Sequence, residues 1–376
     1  MTEAALAVAV ALFLYPFVLY PLLLIAIVRP GAGYPPLAGG QPPSLAMVVC
    51  ALNEERIIGR KIENTLSLDY PREKLRLVFV SDGATDQTAS IIGQYTGRGV
   101  ELIERKDRIG KIANLNQVLP EIKEDIVVLS DANVIYDTMA LRAIVAPFQD
   151  PDTGAVSGKV ILTDTTEDLR SPEQQYYGLE WTLQERASSL YSMAGADGAM
   201  YAFRAGLFRP CPPDTLIEDF VIPIGIVRQG KRVLFQPAAL AWEQGPATLA
   251  EEFRRKVRIA AGAAQAILRG NGLPFGAPLR FWFIFLSHKL LRWLSPLSGL
   301  VVLFLAVLSS AWWFSRLLLA AFAALILLAG LRAAAGRRLP FLNAPFYFLF
   351  TQAALLTGLV KGVTGRQSVL WAKANR

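Results

Sequence analysis

Apolar positions along the chain fall into three regimes. Ala4–Val28 runs 25 residues without a charge, long enough to cross a bilayer as a helix, with Pro16 and Pro21 predicted to kink it. After a Gly- and Pro-rich linker the pattern changes to short apolar runs separated by polar, helix-length stretches. Leu45–Ala51, Leu75–Val80, Val100–Ile103 and Ile126–Leu129 predict four strands. Asn53-Glu54-Glu55 should open a helix after the first, and Thr85 or Asp86 should cap the helix after the second. Strands alternating with helices of about a dozen residues predict an α/β fold, a parallel sheet with helices on both faces. Beyond residue 150 the pattern loosens into a long helix over Ser171–Met193, a strand over Ala199–Phe203, a helix opening at Leu216–Phe220 and a strand over Val233–Gln236.

Thr248–Arg269 predicts an amphipathic helix. Thr248 and Glu251 make a capping box, and Leu249, Phe253, Val257, Ala260 and Ile267 fall near one face. Arg254, Arg255, Lys256 and Arg258 crowd its first half, which places the helix in a membrane interface. The third regime follows. Trp293–Ser315 is free of charge for 23 residues, Leu317–Leu331 is shorter, and Leu339–Val360 is free of charge for 22 but made irregular by Pro340, Asn343, Pro345 and Gln352. Phe281–Leu294, interrupted by His288 and Lys289, fits the interface better than a crossing. The expected division is an N-terminal transmembrane helix (1–28), a linker (29–43), an α/β domain (44–245), interfacial helices (246–294), and membrane segments with a basic tail (295–376).

Composition agrees with a polar middle between membrane segments: 53% of residues are apolar, too many for a purely soluble domain. Ala4–Val28 lacks the basic leader and short apolar core of a cleaved signal, so it reads as a retained helix. Met1-Thr2-Glu3 carries no basic residue to hold the amino terminus in the cytoplasm. If all three later segments cross, the tail with Lys361, Arg366, Lys373 and Arg376 ends outside, against the positive-inside rule; a re-entrant Leu339–Val360 would avoid this. The net charge of +7 fits an anionic membrane surface or a phosphorylated substrate, and no nucleic-acid partner is expected. Two cysteines and one histidine leave no disulfide framework, zinc spacing or histidine triad, and fit a reducing cytoplasmic compartment for the middle domain.

The chemistry concentrates at strand ends. Asp131 and Asn133 follow the fourth strand, where open α/β sheets bind ligands. Two oxygen side chains two residues apart can reach one hard cation, and that cation can hold a diphosphate. Asn53-Glu54 and Ser81-Asp82-Gly83 follow the first and second strands. Lys111 opens a helix, so its ammonium and the helix's positive end coincide. Glu218 and Asp219, adjacent at another helix start, point to different sides. No Gly-x-Gly-x-x-Gly follows the first strand, which argues against a dinucleotide-dependent oxidoreductase.

Together these motifs resemble the membrane-bound, inverting family 2 glycosyltransferases of GT-A fold, in layout closest to synthases of hyaluronan, chitin-like polymers and exopolysaccharides. The resemblance runs from residue 45 to the carboxyl terminus. It implies that Asn53, Glu54 and Asp82 grip the nucleoside, usually uridine. Gly110-Lys111-Ile112-Ala113-Asn114-Leu115-Asn116 resembles the Gly-Lys-x-x-x-Leu-Asn motif, and makes Lys111 and Asn116 donor contacts. Asp131-Ala132-Asn133 stands at the Asp-x-Asp position with its second carboxylate an amide, and makes Asp131 and Asn133 the ligands of Mg²⁺ or Mn²⁺. Ile217-Glu218-Asp219 resembles the Thr-Glu-Asp element, with Asp219 the catalytic base and Glu218 on the acceptor side. Gly195-Ala196-Asp197-Gly198-Ala199 resembles the small-residue loop that lets an acceptor sugar near the backbone. Arg258 alone matches the Gln-x-x-Arg-Trp of processive synthases, where it would neutralise the leaving diphosphate. Ile259 replaces the stacking tryptophan, which sets processive polymerisation in question. Gly365-Arg366-Gln367 and Trp371-x-Lys373 with Arg376 resemble a tail that folds over the donor site.

The expected activity is transfer of a sugar, with inversion, from a UDP-sugar to a growing glycan or lipid-linked saccharide at the inner membrane, with the catalytic domain in the cytoplasm. A lipid glycosyltransferase using ceramide, diacylglycerol or polyprenyl phosphate is the alternative. The altered Asp-x-Asp alone would allow a non-catalytic nucleotide-sugar-binding subunit.

Overall fold

The computed structural model describes residues 1–31, 33–35, 41–163, 167–246, 248–335 and 342–370, with side chains of 164–177 and 335 outside the description. The first helix, α1, covers Thr2–Ile27 as one rod. Pro16 and Pro21 do not break it; Pro16 lies in a single widened π-turn at Tyr15–Leu19, and Pro21 falls at the start of the α-helical stretch that follows.

The sheet opens with β1 (Leu45–Ala51), β2 (Leu75–Asp82), β3 (Val100–Arg105) and β4 (Ile126–Asp131), all parallel, in the order β3-β2-β1-β4. Their side chains alternate between two cores as a period of two requires. Ala46, Val48, Val78, Val80, Val127 and Leu129 enter one cluster, while Leu45, Met47, Val49, Leu77, Phe79 and Val128 enter the other. Helices α2 (Ile58–Leu66), α3 (Thr88–Gly93) and α4 (Lys111–Val118) make the crossovers. α2 opens at Ile58, later than expected, because Asn53 takes a left-handed turn at φ 53°. Asp86 reaches the next helix from outside its cap, its Oδ1 accepting from Thr88 N at 2.9 Å.

The second half makes the sheet mixed. β5 (Val134–Tyr136), β6 (Thr153–Thr163), β7 (Met200–Arg204) and β8 (Arg232–Gln244) complete eight strands in the order β3-β2-β1-β4-β7-β6-β8-β5. β7 runs antiparallel to β4, and β8 parallel to β6. β4 and β5 stand far apart in that order, yet Ala132 and Asn133 alone connect them. Two residues span under about 10 Å, so the sheet must curl its far edge back towards β4. α5 (Ala140–Val145), α6 (Glu167–Leu190) and α7 (Glu218–Arg228) complete the domain.

α8 (Leu249–Leu268) starts as expected, with Thr248 Oγ1 accepting from Glu251 N at 3.2 Å. Two of its basic residues are paired within the helix, while Arg254 is exposed. Glu252, fully buried, pairs with Arg255 and Lys256 at 2.7 and 3.1 Å, and its carboxyl falls to about 2 because the two cations outweigh burial. Gly262 packs on Leu216 and Ile217. The apolar run Trp293–Ser315 is not one span. α9 (Leu279–Trp293) and α10 (Ser295–Leu308) are bent by 65°, and Ser309 Oγ meets Ser315 Oγ at 2.9 Å where the chain turns into α11 (Trp313–Ala335). α12 is one unbroken helix over Asn343–Val363, and the bent α9–α10 pair has the form of a broken span or a re-entrant loop. α1, α11 and α12 are each long and apolar enough to cross a membrane. A polar knot ties the first span to the domain: Glu180 meets His288 and Arg292, both at 2.8 Å, and Tyr15 bonds Ser287 at 2.8 Å.

Candidate active site

The carboxyl ends of β1, β2 and β4 open onto a cavity of about 330 Å³, closed on its other sides by the loop at Gly195–Ala199, the start of α7, and α8. Register explains the convergence: Cys50 lies beside Asp131, and Ala51 beside Ser81. The order reverses between β1 and β4, the point where open α/β sheets hold ligands.

Asp82, only 5% exposed, organises the base of this cavity. Its Oδ1 accepts from Ile109 N and Asn114 Nδ2, each at 2.8 Å, and its Oδ2 from Gly110 N at 2.9 Å. This draws the entrance of α4 onto the end of β2. Gly83 (φ 64°) is required there, since a Cβ would lie 2.4 Å from Arg108 N. Lys111 then projects between two carboxylates, 2.8 Å from Asp131 Oδ1 and 2.6 Å from Glu218 Oε1. Burial lowers the pKa of the ammonium, but Asp131 and Glu218 outweigh it and raise that pKa well above its ordinary value. The Glu218 carboxyl is held below its usual range, because Lys111 and Arg258 overcome its burial.

Asp219 turns the other way, into the cavity beside Gly198. A Cβ on Gly198 would stand 3.0 Å from Asp219 Oδ2 and 3.4 Å from its Cγ, and Ala196 N donates to Asp219 O at 2.9 Å. Gly195, at φ 114°, makes that turn. The small-residue loop therefore seats the Asp219 carboxylate. Burial, then repulsion from Glu218, pushes Asp219 up to about 6; Lys111, Arg258 and Lys289 act against this.

Several expected residues sit differently. Asn53 does not line the cavity; its Oδ1 accepts from Thr85 N at 2.8 Å and ties the two strand-end turns together. Glu54 lines it, held through its backbone N–H by Thr88 at 2.7 Å. Asn116, expected at the donor, faces away and exchanges two bonds with Cys211, at 2.7 and 3.0 Å. The inward residue of that motif is Asn114, on Asp82. Glu218, expected on the acceptor side, is committed to Lys111. Asn133 lines the cavity but its Nδ2 donates to Glu243 Oε1 at 3.1 Å. Arg258 and Ile259 both line the cavity, as do Val369 and Leu370 of the tail, with Leu370 against Gly110. Trp371, Lys373 and Arg376 lie outside the described residues.

Five further residues were given no individual role by the sequence. Asp197 lines the cavity, pushed up to about 7 by burial and then by Glu243, with Asp219 and Asp131 adding to it. Glu243 arrives from β8, and only the sheet's curl reveals it. Lys61, fully buried, lies behind the Asp131 turn and donates to Ser130 Oγ at 2.8 Å and Val134 O at 2.6 Å. Gly358 and Gly362 carry a legible signal, a Gly-x-x-x-Gly pair that lets helices approach closely. A Cβ on them would stand 2.5 Å from Val257 O and 2.4 Å from Ala261 O of α8.

Asp131 and Asn133 are the candidate cation ligands, and both line the cavity. Among the described residues no cluster of three acids, histidines or cysteines could hold a metal ion. The two oxygens can contribute part of a shell that a diphosphate and water complete, which is how Mg²⁺ is commonly held.

Residues 42–262 match the family described as glycosyltransferase like family 2. The chain is 25% identical over 238 residues to a probable glycosyltransferase, YdaM, of Bacillus subtilis, which covers 60% of this chain and 57% of that protein. It is 24% identical over 231 residues to poly-beta-1,6-N-acetyl-D-glucosamine synthase of Staphylococcus aureus, covering 60% of this chain and 56% of the synthase. The chain thus spans little over half the length of these curated relatives. Among solved structures it is similar to the mannosyltransferase PcManGT of Pyrobaculum calidifontis, in complex with GDP-Man and Mn2+, with a TM-score of 0.75, 23% identity, and coverage of 98% of this chain and 100% of that one. That likeness establishes the GT-A fold.

Proposed function

The chain belongs to the glycosyltransferase-like family 2, and from this premise we propose a membrane-anchored, inverting transferase with Asp219 as its general base. The donor is a nucleoside-diphosphate sugar, with a UDP-sugar as the first reading. The acceptor is a growing glycan or a lipid-linked saccharide. Residues 44–245 form the catalytic domain on the cytoplasmic side, and the apolar helices anchor it.

One observation carries this reading: a carboxylate poised near pH 6 projects into the strand-end cavity beside a glycine loop, with Lys111 and Arg258 close enough to influence it. In the proposed step an acceptor hydroxyl oxygen attacks the anomeric carbon and its proton passes to Asp219. The bond from that carbon to the diphosphate oxygen breaks on the opposite side, and a single displacement inverts the centre. Lys111 and Arg258 meet the charge that develops on the departing diphosphate. Asp131, with Asn133, would hold Mg²⁺ or Mn²⁺, and such an ion adds neutralisation of the same charge. Ile259, exposed at the position where a stacking aromatic would hold an acceptor sugar, favours single or short transfer.

A second donor reading, GDP-mannose, is favoured by the GDP-Man in the structural neighbour. The test is nucleoside diphosphate release by detergent-solubilised protein across UDP-sugars and GDP-mannose, with and without chelator. Release with one sugar, abolished by chelation, is expected. No release with any sugar, in the presence of membrane lipid extract, would overturn the proposal.

A further inference from the structure

Beside the donor cavity lies a second, of about 270 Å³, sharing Glu243, Arg255, Arg258 and Leu370 with it. Its walls come from the end of β8, the first turns of α8, the tail residues Gln367–Leu370, and Thr357 and Lys361 on the last turns of α12. The function above does not use it.

Its chemistry is divided. Arg254, Arg255, Arg258 and Lys361 supply four cations, of which Arg255 is paired with the buried Glu252, against the carboxylates of Glu243 and Glu251, and Leu162, Phe253, Val257 and Leu370 supply apolar wall. Arg254 and Lys361 are exposed at its rim. An anionic group suits such a lining. The cavity also stands at the foot of α12, a helix apolar enough to span a membrane, whose Val360 and Val363 are 56% and 64% exposed next to Lys361. An apolar chain leaving the cavity would run along this face into lipid. A neutral glycan would use neither feature, and a soluble phosphate only the first.

We propose that this cavity seats the phosphate of a lipid-phosphate-linked acceptor, whose sugar reaches across the shared wall to Asp219 while its chain stays in the bilayer. This rests on the transferase reading above and narrows its acceptor. The bonds made and broken are unchanged: the acceptor's sugar hydroxyl gains the glycosyl group, its proton goes to Asp219, and the nucleoside diphosphate leaves. The phosphate only anchors.

The test uses the full chain in nanodiscs of neutral lipid, with geranylgeranyl phosphate as probe. Geranylgeraniol and inorganic phosphate serve as controls. Wild type is expected to bind the lipid phosphate, not the alcohol, with inorganic phosphate a poor competitor. The double variant Arg254→Glu/Lys361→Glu reverses two exposed charges and should weaken binding by roughly tenfold or more, with an unchanged melting temperature. Lys123→Glu, a reversal of an exposed charge on the α/β domain, should bind as wild type does. Equal affinity in the double variant, equal competition by inorganic phosphate, or no binding by wild type would each overturn the proposal. Nucleoside diphosphate release by wild type without acceptor is measured in parallel. It reports on the donor reading alone, so the two ideas fail separately.

Discussion

Gly198→Ala isolates the placement of the proposed base. The added methyl would lie 3.0 Å from Asp219 Oδ2, 3.3 Å from its Cβ and 3.4 Å from its Cγ. A carbon–oxygen approach of 3.0 Å is closer than carbon atoms normally tolerate, so the carboxylate must yield by a few tenths of an ångström. Gly198 has no left-handed φ, so alanine meets no backbone strain, and a side chain facing a cavity has room to move. Overpacking against such a group should cost under about 1 kcal/mol, below the usual core range. Catalysis is less forgiving, since a misplacement of about 1 Å can cost roughly a hundredfold. A shift of about half that predicts a loss of about tenfold in kcat, with the KM for the donor unchanged. Nucleoside diphosphate release kinetics and thermal melting measure both. Wild-type kcat, or a raised donor KM with kcat intact, would refute the placement. Gly195→Ala makes the contrast: at φ 114° its cost is backbone strain of about 1–3 kcal/mol, read in the melting temperature.

Four further outcomes are expected. Asp219, raised to about 6, must be ionised to accept a proton, so kcat/KM should fall about tenfold per pH unit below that value. The sign for stability is opposite: a raised carboxyl favours folding in its protonated form, so wild type should lose stability relative to Asp219→Asn as pH rises from about 4 through about 6. Lys61→Met removes the donor to Ser130 Oγ and Val134 O behind the Asp131 turn, while Ser130 Oγ keeps its bond to Asp131 O at 3.2 Å; a loss of about 1–3 kcal/mol for the carbonyl left short of a donor should appear in chemical denaturation, with a weaker apparent affinity for Mn²⁺. Gly362→Ala forces a methyl to 2.4 Å from Ala261 O, and the displaced α8–α12 contact should cost about 1–3 kcal/mol, measured by melting in detergent.

The parallel half of the sheet was legible because its strands are continuous apolar runs ended by polar turns. The boundaries expected for β1 agree with those observed, and Asp82 and Asp131 fall at carboxyl ends as expected. β8 was read as four residues and is 13 long. Pro237 and a register shift opposite Gly158/Lys159 hide its continuation. The resemblance points to Asn116 because that residue matches the last position of the Gly-Lys-x-x-x-Leu-Asn motif. With Lys111 as its first residue, successive positions turn by about 100°, which sends 114 and 116 to opposite sides. The pairing of Asn133 with Glu243 crosses 110 positions and follows only from the sheet's curl. The break between α10 and α11 is hidden in an unbroken apolar run, where two serines satisfy each other.

The most direct measurement compares Asp219→Asn with wild type, in turnover and in donor binding on the same preparation. The account predicts a fall in nucleoside diphosphate release of roughly a hundredfold to ten-thousandfold, the range for loss of a general base, with the donor Kd unchanged because Asp131, Lys111 and Arg258 remain. Release at the wild-type rate, with donor binding intact, would contradict it and take the proton elsewhere, with Asp197, which lines the same cavity, the next carboxylate to examine.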